Sequence, residues 1–495
     1  MLAIFLAPVY ILANVFTAYW LLRWMKEVHP LFRHPAVLGV ILVLYAFFAL
    51  SLLTSFLIKR DPVHRILKVI SNCWLGMYLY FLGFTAILVL LRFIFAHTAL
   101  TKTWLYSPMG LKAVGLGAIL FVTGMCIYGM VHAVHIYTTR YEVPSKKDAH
   151  LKIALVADLH LGYSIGSHQM EEMVEKINAE EPDVVVIAGD IFDNEYDAIY
   201  EPDRVADLLA GLKSRYGTYA CYGNHDLDEK ILAGFTFETK EERIADRRFG
   251  EFLDRAKIHL LEDDVVCIDD AFYLAGRKDP DRIRKTQETR DTPSELLTGL
   301  DQSLPVFVID HQPSELTELA EAGADLDLGG HTHDGQLFPG NILTGLMWEN
   351  ACGMKKVGDM YSIVTSGVGL WGPPMRIGTK AEVVIIDYGK YRYEQARKEK
   401  EAKKKQKTID IKEVRLSPNI DTNDLNTKVN AARKFLSKGD RVKVTLRFRG
   451  REMAHMASSR HVLDDFAKQL ADVATVEKAP KVEGRSMTMF LTEKR

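Results

Sequence analysis

Four apolar runs free of Asp, Glu, Lys and Arg open this 495-residue chain, at 2–22, 36–58, 69–91 and 113–137. At 21, 23, 23 and 25 residues, each reaches the ~20 residues an α-helix needs to cross a ~30 Å hydrocarbon layer. Four such runs in close succession predict four transmembrane helices within residues 1–140 and a lipid bilayer as a partner. A cleaved signal peptide does not fit, because no basic stretch precedes the first run and the run is too long. Four spans put both chain ends on one side of the membrane. Lys and Arg do not choose that side. Loops 59–68 and 138–150 hold seven, and loops 23–35 and 92–112 hold six, whereas the positive-inside rule needs an excess. His132 and His135, one turn apart on the fourth run, read either as a metal pair or proton relay or, more often for such residues, as side chains near a helix end that face neighbouring helices.

The net charge of −2 conceals three unlike segments. Residues 1–150 carry 13 Lys/Arg against 4 Asp/Glu, residues 151–387 carry 22 against 45, and residues 388–495 carry 27 against 15. The balances of +9, −23 and +12 argue for separate modules with separate partners. The five cysteines (Cys73, Cys126, Cys221, Cys267, Cys352) are scattered with no CxxC pair. That spacing suggests neither a disulfide framework nor a structural zinc site.

Between 150 and 386, apolar strands alternate with helical stretches, and polar residues of one kind recur just past the strand ends. The run 152–157 ends in Asp158-Leu159-His160, and 183–188 in Gly189-Asp190. The run 218–222 ends in Gly223-Asn224-His225-Asp226, 305–310 in His311-Gln312-Pro313, and 325–328 in Gly329-Gly330-His331-Thr332-His333. The alternation predicts a layered α/β domain, and C-terminal strand ends are where open α/β sheets place their sites. Asp, His and Asn offer oxygen and imidazole donors suited to Mn, Fe, Zn or Mg. A metal pair ~3.5–4 Å apart needs a bridging ligand, clamps a phosphate, and lowers the pKa of a bound water.

In DLH (158–160), GD (189–190), GNHD (223–226), His311 and GHTH (330–333), in that order, the segment resembles the calcineurin-like metallophosphoesterases. YGNHD, HQP, GHTHxGQ and SGVGLWGPPMRIG (366–378) make it similar to the bacterial membrane-anchored branch of that family. The resemblance implies an α/β layered sandwich, two divalent metal ions, and hydrolysis of a phosphodiester, a phosphomonoester or a lipid-linked pyrophosphate. It implies that Asp158, His160 and His333 hold one ion, that Asn224, His311 and His331 hold the other, and that Asp190 bridges. His225, oriented by Asp226, would stabilise the transition state or protonate the leaving oxygen. Asp334 stands where that branch usually has Gly, so an added carboxylate is expected to crowd the pocket or repel an anion. Asp193 reads equally as a partner of Asp190 or as a turn cap, and His168 as flanking a helix. The stretch 228–300 reads as a substrate-selecting insertion or as peripheral helices.

From 387 the composition turns basic. Residues 387–408 read as a charged helical linker. Beyond it, strand 409–416, helix 423–436, strand 441–449, helix 462–470 and strands 473–478 and 485–491 predict a small α+β (βαβαββ) domain over 409–495. DYGKYRYEQ (387–395), IKEVRLSPNI (411–420), KGDRVKVTLRFRGREMAH (438–455) and EGRSMTM (483–489) resemble the linker and C-terminal domain of bacterial translation initiation factor three. That resemblance implies contacts with small-subunit ribosomal RNA through Lys428, Lys434, Arg449, Arg451 and Arg485. The positive charge and the run Arg447, Arg449 and Arg451 around Phe448 fit a phosphate-binding face with stacking.

The combined expectation is a phosphoester hydrolase of the bacterial cytoplasmic membrane that also carries a ribosome-binding domain. Its catalytic and C-terminal domains would lie on the cytoplasmic side, where ribosomes are. The alternative is an initiation factor to which the hydrolase portion is joined by gene fusion or gene-model error.

Overall fold

The computed structural model describes residues 2–96, 98, 104–229, 231–232, 235–236, 246–389 and 410–494. The greater part of the expected linker, 390–408, therefore lies outside the described residues. The chain divides into two compact units, Met1–Tyr391 and Arg392–Arg495.

The first unit opens with helices α1 (Leu2–Val28), α2 (Pro35–Ala49), α3 (Ser51–Leu57), α4 (Val63–Phe95) and α5 (Pro108–Ala133). Of these, α4 and α5 are each long and apolar enough to cross a membrane, and α2 with α3, bent by 53°, form a third span if they act as one. The first apolar run lies within α1. Two hydrogen bonds tie polar groups between the helices, where a low-dielectric interior rewards pairing. Tyr45 Oη donates to Asn14 Oδ1 at 2.9 Å, and Trp74 Nε1 donates to Tyr10 Oη at 3.0 Å.

The fourth run ends earlier than its apolar length suggests. Helix α5 stops at Ala133 and the chain enters strand β1 (Ile136–Val143) three residues later. Its sequence, Ile-Tyr-Thr-Thr-Arg-Tyr-Glu-Val, is rich in the β-branched and aromatic residues that pack on a pleated surface. The first β-sheet thus begins inside what the sequence assigned to the last apolar segment.

The strands continue as β2 (Leu151–Val156), β3 (Val184–Ala188), β4 (Thr218–Cys221), the small hairpin β5 (Ile231–Leu232) and β6 (Phe235–Thr236), β7 (Ile258–Leu260), β8 (Asp264–Ile268) and β9 (Phe272–Gly276). They end the unit as β10 (Val306–Ile309), β11 (Leu326–Gly329), β12 (Gly353–Val357), β13 (Met360–Val364) and β14 (Ala381–Tyr388). Two six-stranded sheets form, ordered β1-β14-β2-β3-β4-β7 and β12-β13-β11-β10-β9-β8. Ile153, Leu155 and Val186 of one sheet meet Leu274, Phe307 and Leu328 of the other in one buried cluster. Helices Ser167–Ala179, Pro202–Leu209 and Arg247–Arg255 bury Met173, Val205 and Phe252 on the outer face of the first sheet. Helices Pro293–Leu296 and Leu316–Glu321 cover the second. The stretch 228–300 completes both sheets through β7, β8 and β9.

The second unit is a four-stranded sheet ordered β15 (Ile411–Leu416), β16 (Arg441–Arg447), β18 (Ser486–Glu493), β17 (Ala474–Glu483). Helices Thr422–Leu436 and Arg460–Gln469 bury Leu436, Leu463 and Phe466 against Val444 and Met489. The βαβαββ order is the expected one.

Asp327 on β11 is fully buried and accepts the Ser362 hydroxyl at 2.8 Å. Burial, and then the neighbouring Asp310, push its pKa up to about 8. A carboxyl raised in the folded state binds its proton more tightly there than when unfolded, so stability falls as pH rises from the ordinary carboxyl range toward about 8. Asp327→Asn should therefore melt higher than the parent chain above about pH 8, with the gain vanishing near about pH 4, by scanning fluorimetry in detergent.

Candidate metal centre

Strand ends build the site. Asp158 and His160 follow β2, Asp190 follows β3, Asn224 and His225 follow β4, His311 follows β10, and His331 and His333 follow β11. Side chains must turn sharply off the strand axis to meet, and the backbone shows it. Asp158, His160, Asp190, His331 and His333 have φ of 53°, 44°, 51°, 70° and 50°. Such left-handed conformations cost of order 1–3 kcal/mol each in non-glycine residues. Loop hydrogen bonds hold them: Asp158 N–H to the Gly189 carbonyl at 3.0 Å, His160 N–H to that of Asp190 at 3.0 Å, and Gly369 N–H to that of Asp158 at 2.8 Å.

Three groups of candidate ligand atoms result, the third being His160, Asp193 and His225. Those of Asp158, His160 and His333 lie within 4.8 Å of one another, and so do those of Asp190, His311 and His331. Asn224 Oδ1 joins the second group, 3.2 Å from His311 Nε2 and 2.9 Å from His331 Nδ1. Asp190 reaches both. Its Oδ2 is 3.2 Å from His311 Nε2 and 3.7 Å from His160 Nε2, while its Oδ1 accepts the His225 backbone N–H at 2.8 Å. The structure brings together all seven residues expected as ligands.

The donor set fits divalent cations. His160 Nε2 and His333 Nε2 face each other at 3.0 Å, an approach that a cation between their lone pairs satisfies. His311 Nδ1 lies 2.8 Å from the Ala188 carbonyl. That bond fixes the proton on Nδ1 and leaves the Nε2 lone pair for a metal. Burial lowers the His331 pKa to about 3, keeping the ring in the neutral form that ligates. Close glycines are part of the cradle. A Cβ on Gly223 would stand 2.2 Å from Asp190 Oδ1.

One expected role changes hands. Asp226 does not orient His225. Its carboxylate is buried and accepts the backbone N–H of Phe192 at 2.8 Å and of Gly223 at 2.7 Å, and burial raises its pKa to about 7. It braces the loop. The His225 ring instead meets Asn194, whose amide is itself fixed by donating to the Leu227 carbonyl at 3.0 Å. That leaves the Asn194 oxygen to accept from His225 Nδ1, and burial lowers the His225 pKa to about 4. Asn194 follows GDIFD within the same loop, but nothing in its spacing distinguishes it from a turn residue.

Asp193 lies 3.6 Å from His160 Nδ1 and 4.0 Å from His225 Nδ1, so it is a neighbour of the site rather than a simple cap. Arg376, from the 366–378 motif, is fully buried and donates to the carbonyls of Ser366 and Gly369 at 2.8 Å and of Lys380 at 2.9 Å. Asp334 has Glu382, Arg376 and Lys380 as its electrostatic neighbours rather than the ligand histidines. His132 Nε2 lies 3.1 Å from the Thr379 carbonyl, a structural contact between α5 and this loop.

In the second unit, Arg447, Arg449 and Arg485 are exposed. Arg447 pairs in register with Ser486, and Phe448 N–H bonds the Arg485 carbonyl at 3.1 Å, so the three share one end of the sheet. Phe448 is only 2% exposed and sits in the core, which removes it as a stacking surface. Lys428 and Lys434 lie on Thr422–Leu436. Six residues apart, they point about 120° from each other around the helix axis. For Arg451 only the backbone is described.

Residues 151–335 match the family model described as calcineurin-like phosphoesterase. Residues 409–494 match the one described as translation initiation factor IF-3, C-terminal domain. The chain thus carries a metallophosphoesterase domain and an initiation-factor-type domain in tandem, after apolar helices. One solved crystal structure aligns over 43% of this chain and 90% of its own at 10% identity, with a TM-score of 0.26, too slight a likeness to argue from.

Asn194→Ala should free the His225 ring while leaving the ligand set intact. The expected outcome is a loss of about 10–100-fold in kcat, the range for residues that orient a working group, with metal content by mass spectrometry unchanged.

Proposed function

We propose that this protein is a membrane-anchored, two-metal phosphoester hydrolase whose C-terminal domain engages small-subunit ribosomal RNA. The observation that carries the enzymatic reading is the Asp190 carboxylate, shared between two groups of three ligand atoms at the strand ends. Asp158, His160 and His333 would hold one divalent ion and Asn224, His311 and His331 the other. The pair would polarise the phosphoryl oxygens and lower the pKa of a water. His225, held by Asn194 with its Nδ1 proton inward, presents Nε2 to the substrate. An anionic phosphoester raises the proton affinity of that atom, and the proton taken up there passes to the leaving oxygen. Four spans through α1–α5 would fix the enzyme to the bacterial cytoplasmic membrane.

A second activity has its own support in the match of 409–494 and in Arg447, Arg449 and Arg485 clustered at one sheet end. None of the three forms a side-chain ion pair among the described residues, unlike Arg433 with Asp472 and Arg441 with Glu477. Ribosome binding would put both chain ends in the cytoplasm.

The enzyme is tested with bis-p-nitrophenyl phosphate and Mn²⁺ on the purified full chain. Asp190→Asn should lower both metal content and turnover, the latter by about 100-fold or more; undiminished turnover would refute the ligand assignment. For the tail, affinity for isolated small subunits should fall steeply with salt. Replacing Arg447, Arg449 and Arg485 together by Ala should flatten the log–log slope by about one per lost phosphate contact.

A further inference from the structure

Directly after the GHTHDGQ motif, the chain forms helix Gly340–Met347, Gly-Asn-Ile-Leu-Thr-Gly-Leu-Met. None of its residues is buried. Ile342, Leu343, Leu346 and Met347 are 54%, 58%, 81% and 77% exposed, and Phe338 just before it is 50% exposed. The helix has no charged residue, in a domain whose balance is 22 Lys/Arg against 45 Asp/Glu over 151–387. A water-facing helix of this composition pays for nothing in stability, so something apolar covers it.

The surroundings say what. The segment just before this helix, and the 375–377 turn bridged to it, rest on the apolar helices. Tyr80 Oη of α4 donates to the Phe338 carbonyl at 2.8 Å. Met375 and Ile377 pack into one cluster with Val122 and Cys126 of α5, and Leu337 lies against it. The exposed apolar helix therefore continues the apolar surface of helices long enough to span a bilayer. It is also the rim of the site. Trp348, its next residue, has its ring 5.1 Å from His331. Across the mouth, Trp371 lies 6.5 Å from His225, and Gln336 ties the two rims by bonding both the N–H and the carbonyl of Trp371.

We infer that helix Gly340–Met347 is a lip seated in the lipid interface, and that the site takes amphiphilic phosphoesters whose apolar tails remain in the bilayer. This rests on the hydrolase reading above and narrows its substrate class. In the reaction, water adds to phosphorus, the bond from phosphorus to the leaving oxygen breaks, and one proton is released. The product phosphomonoester keeps its tails in the membrane.

The test uses the full chain in phosphatidylcholine nanodiscs with Mn²⁺ and two substrates sharing one leaving group. One is soluble bis-p-nitrophenyl phosphate, and the other is dioleoyl phosphatidyl-p-nitrophenol. Replacing Leu346 and Met347 together by Glu should lower kcat/KM for the lipid substrate by about tenfold or more, through lost interfacial seating, and leave the soluble one within about twofold. Unchanged lipid turnover would overturn the inference. A parallel loss on both substrates would also count against it unless the second measurement supports it. There, a bimane label on Leu346→Cys, in a chain with Cys73, Cys267 and Cys352 each replaced by Ser, should be quenched by spin-labelled lipid tails and shielded from aqueous iodide. Quenching by iodide alone would overturn the lip outright. A parent chain inactive on both substrates yet quenched by lipid would instead refute the hydrolase reading and spare the lip.

Discussion

The Asp190 carboxylate faces two groups of candidate ligand atoms at once, and the geometry around it is arranged to allow that. It leaves β3 in a left-handed turn, which aims its side chain out of the sheet rather than along it. Gly223 approaches so closely that a Cβ there would fall 2.2 Å from Oδ1, and a Cβ on Gly189 would fall 2.6 Å from His311 Nδ1. The His225 N–H then fixes Oδ1 and leaves Oδ2 to face His311 and His160. Five strained backbones meet at this point, and the sandwich must be stiff enough to hold them. The fully buried sheet cores on either side of β2, β3, β10 and β11 supply that stiffness.

Charge buried behind the site has the same purpose. Arg277 and Arg290 both bind Asp310 Oδ2, at 2.8 and 2.6 Å, in full or nearly full burial. Asp310 is the residue before His311, so the pair anchors the end of β10. Buried ion pairs are weak evidence for net stability, because desolvation offsets their attraction, but removing one partner is costly. Here the network fixes where a strand ends, and with it where an imidazole points.

Much of this was legible from residue order. A strand that ends in DLH or GNHD declares both its direction and its cargo, because hydrophobic strand and polar terminus are local signals. The βαβαββ order of the tail was legible for the same reason. What stayed hidden depends on contacts between distant segments. Asp226 adjoins His225 in sequence, yet consecutive residues in a turn point apart, and Asn194 from another loop holds the ring. Phe448 sits amid arginines but alternates inward on the strand path, into the core. The end of α5 was hidden because apolar β-branched residues suit a lipid-facing helix and a buried strand equally well. Arg376 stands in the 366–378 motif with no role its spacing declares, and only folding shows that its donors gather the carbonyls of Ser366, Gly369 and Lys380.

Only Val134 and His135 separate the last residue of α5 from the first of β1, and β1 pairs along its whole length with β14. The two-sheet body is therefore not a ball on a string. Its heading relative to the apolar helices is set by a two-residue joint, reinforced where the Gly129 carbonyl accepts the Arg376 N–H at 3.0 Å. A body mounted in this way turns with the helix that carries it, so whatever holds α5 also holds the cluster at the strand ends.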